Sequence, residues 1–285
     1  MAPHAGTLFD DVTIHTYRPW NSSITQYPPV YWRSVTLAVS EPLVAYHLSI
    51  VRTHIGPNVR LWLDELNWGG FWEQPGTWLN ETDGALRGMH LASFVLAAIQ
   101  AAPAVDTVNW YSLFYQANVS WTYWASVAKV SNAADAPQLV QLNGVAQIFA
   151  DLAYVALGLN MTTMAGAAGL STATLPITVL DTAQLPCLLA ARFSGPAAEA
   201  LVALNRCPTP VTVSPAALPA SPATSWAYSA YDAGGWVPLT SIPDPLANPW
   251  WNNGPLVPSP LCSANLTTCT QLPALSLAFF VHHQA

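Results

Sequence analysis

The sequence predicts an α/β region with a parallel sheet, followed by an all-β region. Over the first 158 residues, short β-branched or apolar runs alternate with helical patterns, which is typical of βα repeats. From Asn160 onward, short apolar runs are separated by Pro, Gly and Ser, as in antiparallel sheets. The chain has 285 residues and 52% hydrophobic content, enough to bury a substantial core. We therefore expect two domains, at residues 1–158 and 159–285.

The first βα unit begins with residues 11–17, a β-branched, alternating run that ends on His15 and Tyr17. A Ser-Glu-Pro motif beginning at Ser40 predicts a helix start, because an N-cap is followed by an acidic first turn and an early proline. Apolar residues then recur at helical spacing until Gly56. The unit is therefore a strand followed by an amphipathic helix.

The second unit contains the most informative stretch of the chain. Residues 59–63 form an apolar run that predicts a buried strand, and it ends abruptly in Asp64 and Glu65. Charged residues make up only 8% of the sequence, so this acidic pair stands out. In α/β enzymes, catalytic groups lie at the carboxyl ends of parallel strands. A strand-end acid that only caps the next loop is the alternative.

A third unit completes the repeat. The helix of the second unit is predicted from Thr82 to Ile99, and a third strand from residues 107–114. A third helix is predicted from Asn143 to about Gly158. Since strands that alternate with helices pair in parallel, polar and aromatic residues at the three strand ends should converge.

These strand ends resemble a known family. A strand ending in His-x-Tyr, a strand ending in Asp-Glu-x-Asn and an aromatic-ended strand are similar to strands 6–8 of a clan A glycoside hydrolase barrel. The closest likeness is to the family 51 α-L-arabinofuranosidases, with family 39 xylosidases and the heparanase-like family 79 as neighbours. The resemblance covers residues 8–210. It departs at Leu66, where these enzymes often have Trp.

The resemblance implies both a fold and an activity. The fold would be an incomplete (β/α)8 TIM-type barrel, holding the last three βα units, followed by a β-sandwich. The activity would be retaining hydrolysis of a plant or algal cell-wall type polysaccharide, with a carbohydrate substrate and no cofactor. Glu65 would be the catalytic nucleophile. The residues expected to bind the substrate are His15, Tyr17, Asn67, Trp68, Trp72 and Trp110. Packing in the core or in loops is the alternative for the tryptophans.

The same resemblance indicates that this chain holds half of a catalytic pair. A TIM barrel alone takes roughly 250 residues, and only residues 1–158 have the βα pattern. The first five βα units are missing, and with them the Asn-Glu strand end that supplies the general acid/base. Asp64 is not expected to replace it, because adjacent strand residues point to opposite faces. The chain alone is therefore expected to be inactive or nearly so.

The second region has the pattern of a β-sandwich. A run at residues 275–281 is expected to return as its closing strand. Residues 215–260 are rich in Pro, Ala, Ser and Trp and are expected to form a long, partly irregular excursion. The other predicted strands are residues 174–181, 188–193, 200–205 and 211–214.

Cysteines and sequons favour secretion. The four cysteines suggest two disulfides, Cys187–Cys207 across a hairpin and Cys262–Cys269 around a short loop, although four cysteines allow three pairings. No Cys-x-x-Cys motif supports a metal site. The start of the chain lacks a signal peptide, so we expect that signal upstream. Glycosylation sequons occur at Asn21, Asn80, Asn118, Asn160 and Asn265.

Charge and hydropathy exclude other classes. A net charge of −7 with eight basic residues argues against nucleic-acid binding. Residues 89–108 are apolar but interrupted by Gln100, Pro103 and Asp106, so they predict a buried helix and no membrane span. Two other functional hypotheses remain open: an inactive, secreted sugar-binding glycoprotein, and a structural glycoprotein whose acidic residues cap strands.

Overall fold

The structure is a computed structural model that shows an α/β part followed by a mainly antiparallel β part. This confirms the α/β plus all-β class expected from the sequence. The structure describes residues 10–17, 31–67, 84–110, 114–116, 128–130, 140–142, 144–156, 160–163, 170–219, 224–229, 258–261 and 270–283.

The α/β part is built on a parallel sheet of β1 (Asp11–Tyr17), β2 (Arg60–Asn67) and β3 (Val105–Trp110), in that order, within the described residues. Both pairings are parallel, as the βα pattern predicts. The third strand begins earlier than the predicted 107–114, and residues 111–113 of that prediction lie outside the described residues. A separate small sheet contains β4 (Phe114–Gln116), β5 (Ala128–Val130) and β6 (Val140–Leu142).

Helices connect the strands. They are α1 (Trp32–Ala38), α2 (Ser40–His54), α3 (Gly84–Ala101) and α4 (Gly144–Ala156). The prediction that Ser40 is an N-cap is wrong. Val39 is helical and its carbonyl accepts the Leu43 N–H, so α2 follows α1 without a side-chain cap.

One face of the parallel sheet is buried against α2 and α3. Leu61, Leu63 and Leu66 of β2 are fully buried there and pack with Leu48 of α2 and Phe94 of α3. Burying apolar side chains of this size stabilises the fold by about 1.5–3 kcal/mol each. The opposite face of the sheet is called the open face below, because the side chains of β2 that point to it are only partly buried.

Within the described ranges, the β part is built on a larger sheet of β7 (Asn160–Thr163), β8 (Leu188–Ser194), β9 (Ala198–Asn205), β11 (Thr224–Ser229), β12 (Ser259–Pro260) and β14 (Ser276–His283). Neighbouring strands of this sheet follow the order β12-β11-β14-β9-β8-β7. Its pairings are antiparallel. A second sheet joins β10 (Val211–Thr212) to β13 (Gln271–Leu272).

One prediction for this region is wrong. Residues 174–181 form only isolated bridges, Thr174 with Pro186 and Val179 with Thr182. Within the predicted, partly irregular excursion at residues 215–260, residues 224–229 form a strand that pairs along β14. The backbone of β11 is ordered by its long-range partner, which a local sequence pattern does not reveal.

The larger sheet is buried on both faces. One face packs on α3 and α4 through side chains such as Phe193, Val202 and Phe279. The other face packs on α1, β10 and β13 through Leu201 and Phe280, among others. Burial on both faces explains why β8, β9 and β14 read as nearly continuous apolar runs.

Polar contacts join the helices to this sheet. Asp151 of α4 accepts hydrogen bonds from Trp226 Nε1 at 2.8 Å and from Tyr228 Oη at 2.6 Å. At the other face, the buried Arg206 forms an ion pair with Glu41 in the first turn of α2. Arg206 is followed by Cys207, which forms a disulfide with Cys187, the pairing expected from the sequence.

Candidate functional site

Glu65 lies near the carboxyl end of β2, the central strand of the parallel sheet. Its side chain is 30% exposed, whereas the neighbouring Leu66 is completely buried. The buried face of β2 packs against apolar side chains of α2 and α3. This packing fixes the strand, and with it the position of Glu65. A carboxylate presented in this way is accessible to a ligand.

A β-bulge at Asp64 and Glu65 interrupts the pairing of β2 with both neighbouring strands. On β1, Ile14 pairs with Leu63 and His15 pairs with Glu65, so Asp64 is an extra residue. The pairing with β3 shifts at the same place. Leu63 and Leu66 are both buried, while the two acidic residues between them are both partly exposed. A bulge re-aims side chains, and here it places two consecutive carboxylates next to one histidine.

His15 of β1 lies between the two carboxylates. Its Nδ1 is 3.3 Å from Glu65 Oε2, and its Nε2 is 3.9 Å from Asp64 Oδ2. The expectation that Asp64 and Glu65 point to opposite faces is therefore wrong. The alternation of a regular strand does not hold across a bulge, and both side chains reach the ring of His15.

Asn109 of β3 is a polar member of this site that the sequence analysis missed. Its Nδ2 donates a hydrogen bond to Asp64 Oδ1 at 3.1 Å. The feature that could have identified Asn109 is its position between Val108 and Trp110, near the end of β3. There it lies on the face opposite these apolar side chains. The site therefore draws on all three strands of the parallel sheet.

Arg60 marks the opposite, amino-terminal end of the sheet. It forms ion pairs with Asp11 at 2.8 Å and with Asp106 at 3.0 Å. The hydrogen bond that Arg60 donates to Asp11 raises the pKa of the Arg60 guanidinium, and the charge of Asp106 acts in the same direction. These groups connect the strands but do not take part in the Glu65 site.

The predicted sugar-binding residues have different outcomes. Tyr17 pairs with Asn67 at the ends of β1 and β2, but their side chains, like Trp68 and Trp72, lie outside the described residues. Trp110 pairs with Leu66 and packs against the apolar core beneath the sheet, so it does not share the open face with Glu65. Trp110 and Glu65 therefore lie near the carboxyl ends of neighbouring strands but on different faces of the sheet. Contact between Trp110 and a sugar stays a prediction.

Most of the predicted glycosylation sites, and the second predicted disulfide, lie outside the described part of the chain. Asn160 is the first residue of β7 and pairs with Ser194. Glycosylation there stays a prediction. The residues of this kind that lie outside the described ranges are Asn21, Asn80, Asn118, Asn265, Cys262 and Cys269.

Neither a metal site nor a membrane helix is evident in the described ranges. They contain no group of three or more histidine, cysteine or acidic side chains suited to holding a metal ion. No helix among them is both long enough and apolar enough to cross a bilayer.

Comparison with known proteins identifies the fold. No family model and no curated protein matches the sequence. Solved structures do match, among them a family 51 α-L-arabinofuranosidase from Bifidobacterium longum at 18% identity and a TM-score of 0.60, over 96% of this chain and 54% of that one. The corresponding enzyme from Xanthomonas axonopodis pv. citri has 15% identity and a TM-score of 0.57, over 96% and 53% of the two chains.

A third match is the α-L-arabinofuranosidase of Thermotoga maritima, solved as an arabinose complex, with 12% identity and a TM-score of 0.55 over 96% of this chain and 53% of that one. The chain thus spans about half the length of each of these structures. At such low identity the likeness concerns the fold alone. In fold, this chain resembles about half of a family 51 α-L-arabinofuranosidase, which fits the resemblance to the C-terminal part of such an enzyme.

Proposed function

We propose that the chain provides the nucleophile side of a retaining glycoside hydrolase of the α-L-arabinofuranosidase type, with Glu65 as the nucleophile. One observation carries the proposal. The Glu65 carboxylate lies near the carboxyl end of the central parallel strand, partly exposed on the open face and 3.3 Å from His15 Nδ1. This edge of a parallel sheet is where enzymes of this architecture place reacting groups.

Glu65 would act by direct attack on the sugar. One of its oxygens forms a bond to the anomeric carbon as the bond from that carbon to the leaving oxygen breaks. A proton from a general acid goes to the leaving oxygen, and water later releases the sugar from Glu65. An N–H of His15 directed at Glu65 Oε2 would hold the carboxylate in the orientation needed for attack.

The second carboxyl group of a retaining pair must stand about 5–5.5 Å from the first, across the sugar. Asp64 does not fit that role, because it and Glu65 flank the same imidazole ring. Asp11 and Asp106 are both held by Arg60 at the other end of the strands. We therefore assign the general acid/base to a part of the arabinofuranosidase fold that this chain does not match.

The proposed substrate is a carbohydrate, in the form of a plant or algal cell-wall type polysaccharide with arabinofuranosyl units. The fold supports a carbohydrate ligand, since the solved structures that resemble the chain over 96% of its length are α-L-arabinofuranosidases. A secreted location is part of the same proposal and agrees with the disulfide between Cys187 and Cys207.

A carbohydrate-binding protein without activity is the second candidate. The observation that favours it is that the carboxylates described at the parallel sheet already have charged or polar partners. Asp64 and Glu65 contact His15 at one end of the strands, and Asp11 and Asp106 contact Arg60 at the other. Such a protein would bind a sugar over the open face and release it unchanged. Binding without turnover of any activated substrate would support this candidate over the first.

Hydrolysis of paired substrates tests the proposal. A nitrophenyl arabinofuranoside needs little protonation of its leaving group, whereas an alkyl arabinofuranoside needs a general acid worth about 10²–10⁴-fold. We expect this chain to cleave the nitrophenyl substrate slowly and the alkyl substrate not measurably, and we expect Glu65→Gln to abolish cleavage of the nitrophenyl substrate. Efficient cleavage of the alkyl substrate would show that the chain has its own acid. Equal rates for the wild-type chain and Glu65→Gln would refute the role of Glu65.

A further inference from the structure

Four polar side chains form a continuous row across the open face of the parallel sheet. Asn109 of β3 donates to Asp64 Oδ1 at 3.1 Å, and Asp64 Oδ2 lies 3.9 Å from His15 Nε2. His15 Nδ1 in turn lies 3.3 Å from Glu65 Oε2. Each ring nitrogen of His15 therefore faces a different carboxylate. The mechanism proposed above uses only the contact with Glu65.

The bulge in β2 makes this row possible. In a regular strand, Asp64 would follow Leu63 onto the open face and Glu65 would turn toward the helices. The extra residue keeps Glu65 on the open face without removing Asp64 from it. Because of the bulge, both Glu65, which the proposed chemistry needs, and Asp64, which it does not use, lie beside His15.

Packing does not fix the ring of His15, because its side chain is 53% exposed. A ring that is not enclosed by neighbours can turn about its χ2 torsion, which has a broad, nearly two-fold profile. Turning the ring over would move Nδ1 away from Glu65. The two carboxylates are the groups described next to the ring nitrogens, so their charges are what select one orientation.

We propose that Asp64, held in place by Asn109, is a positioning residue that fixes the orientation of the His15 ring toward Glu65. This inference rests on the proposed role of Glu65 as the nucleophile. In the neutral ring, one nitrogen has no hydrogen and would present its lone pair to a carboxylate, so the two contacts together favour this orientation when both nitrogens carry a hydrogen. In the protonated ring, each nitrogen donates toward its own carboxylate.

Loss of Asp64 would therefore act through His15. In Asp64→Asn, one of the two charges that orient the ring is removed, and Nδ1 faces Glu65 for only part of the time. We expect the rate of sugar transfer to Glu65 to fall roughly 10-fold, because small losses of alignment at a reacting group are costly. Substrate affinity should change little, since Asp64 acts on the ring and not on the sugar.

Nuclear magnetic resonance of the full chain labelled with ¹⁵N-histidine tests the positioning role without any substrate. In the wild-type chain, at a pH where the His15 ring is protonated, we expect the nuclear Overhauser contacts of its two carbon-bound ring protons to define a single ring orientation, with both N–H groups directed at the carboxylates. In Asp64→Asn and in Asn109→Ala we expect contacts from both ring orientations, because the carboxylate that faces Nε2 is then removed or no longer held in place. Asp106→Asn is the matched control, because Asp106 is a partly exposed carboxylate of β3 that contacts Arg60 and not His15.

The outcomes separate this inference from the proposed function. His15 signals that are identical in the wild-type chain and Asn109→Ala, or in a folded Asp64→Asn, would overturn the positioning role. Asn109 is exposed, so its alanine variant decides the matter if Asp64→Asn does not fold. Altered His15 signals together with failure of an activated fluoroglycoside to label Glu65 would refute the nucleophile and leave the orientation of His15 by Asp64 standing.

Discussion

Nδ1 of His15 lies 3.3 Å from Oε2 of Glu65, and the two residues pair directly in neighbouring parallel strands. The contact depends on the register of β1 and β2, which the bulge at Asp64 shifts by one residue. It therefore ties the position of a candidate nucleophile to the backbone pairing of the sheet. Variants that remove one side chain without changing the register of β1 and β2 can test the role of that side chain by itself.

The buried ion pair between Glu41 and Arg206 is predicted to be important for stability. Burial lowers the pKa of the Arg206 guanidinium, and the charge of Glu41 opposes that effect. Glu41→Gln leaves a buried charge without its partner and should lower the free energy of unfolding by about 3–5 kcal/mol, measured in urea.

Glu199→Gln is the matched control for Glu41→Gln. Glu199 forms an ion pair with Arg192, whose side chain is 33% exposed, whereas that of Arg206 is completely buried. Solvent screens the more exposed pair, so the loss there should stay within about 1 kcal/mol. Equal losses in the two variants would contradict the view that burial makes the Glu41 contact special.

The disulfide between Cys187 and Cys207 is predicted to stabilise the β part by restricting the unfolded chain. The two cysteines are separated by 20 residues, which corresponds to about 3 kcal/mol in the loop-entropy model. The double variant Cys187→Ala/Cys207→Ala should lose at least that amount, and reduction of the wild-type protein should lose a similar amount without creating a cavity. If neither treatment moves the urea midpoint, this prediction is wrong.

Asp151 is predicted to hold α4 against β11. It accepts hydrogen bonds from both Trp226 and Tyr228, and Asp151→Ala leaves these buried or half-buried donors unsatisfied. We expect a loss of about 2–3 kcal/mol and faster amide exchange in α4. Asp181→Asn is the control, because Asp181 is exposed and its left-handed backbone conformation suits asparagine. Unchanged exchange in α4 would contradict the docking role.

Tyr228 is predicted to make stability depend on alkaline pH. Burial raises the pKa of the Tyr228 phenol above its usual value of 10.0, and the hydrogen bond to Asp151 raises it further. The folded state therefore keeps a proton that the unfolded state releases, so the stability gained below pH 10 is lost as the pH rises above it. Urea unfolding between pH 9 and about pH 11.5 should show a steeper fall for the wild-type protein than for Tyr228→Phe. Parallel curves for the two proteins would refute the prediction.

The sequence predicts the parallel sheet well, because local signals and tertiary contacts agree there. The run at residues 59–63 is apolar and lies between two helical patterns, and β2 is indeed buried against α2 and α3. The position of Glu65 near the strand end follows from the same pattern. Asp64 was misjudged, since nothing local distinguishes a bulge from a regular strand with two acidic residues at its end.

Elements that depend on distant partners were harder to predict. The strand at residues 224–229 lies in a stretch rich in Pro, Ala, Ser and Trp, and it is ordered by pairing with β14 and by the contacts of Trp226 and Tyr228 with Asp151. Ser40 has the local pattern of an N-cap, yet α1 continues into α2 there. In both cases tertiary structure overrides local preference.

Covalent labelling tests the role of Glu65 most directly. An activated 2-deoxy-2-fluoroarabinofuranoside with a dinitrophenolate leaving group can transfer its sugar to a carboxylate without help from an acid. We expect peptide mass spectrometry to find the fluorosugar on Glu65, with no label in Glu65→Gln and normal labelling in Asp106→Asn. A fluorosugar attached to another residue, or equal labelling of the wild-type chain and Glu65→Gln, would contradict the assignment of Glu65 as the nucleophile.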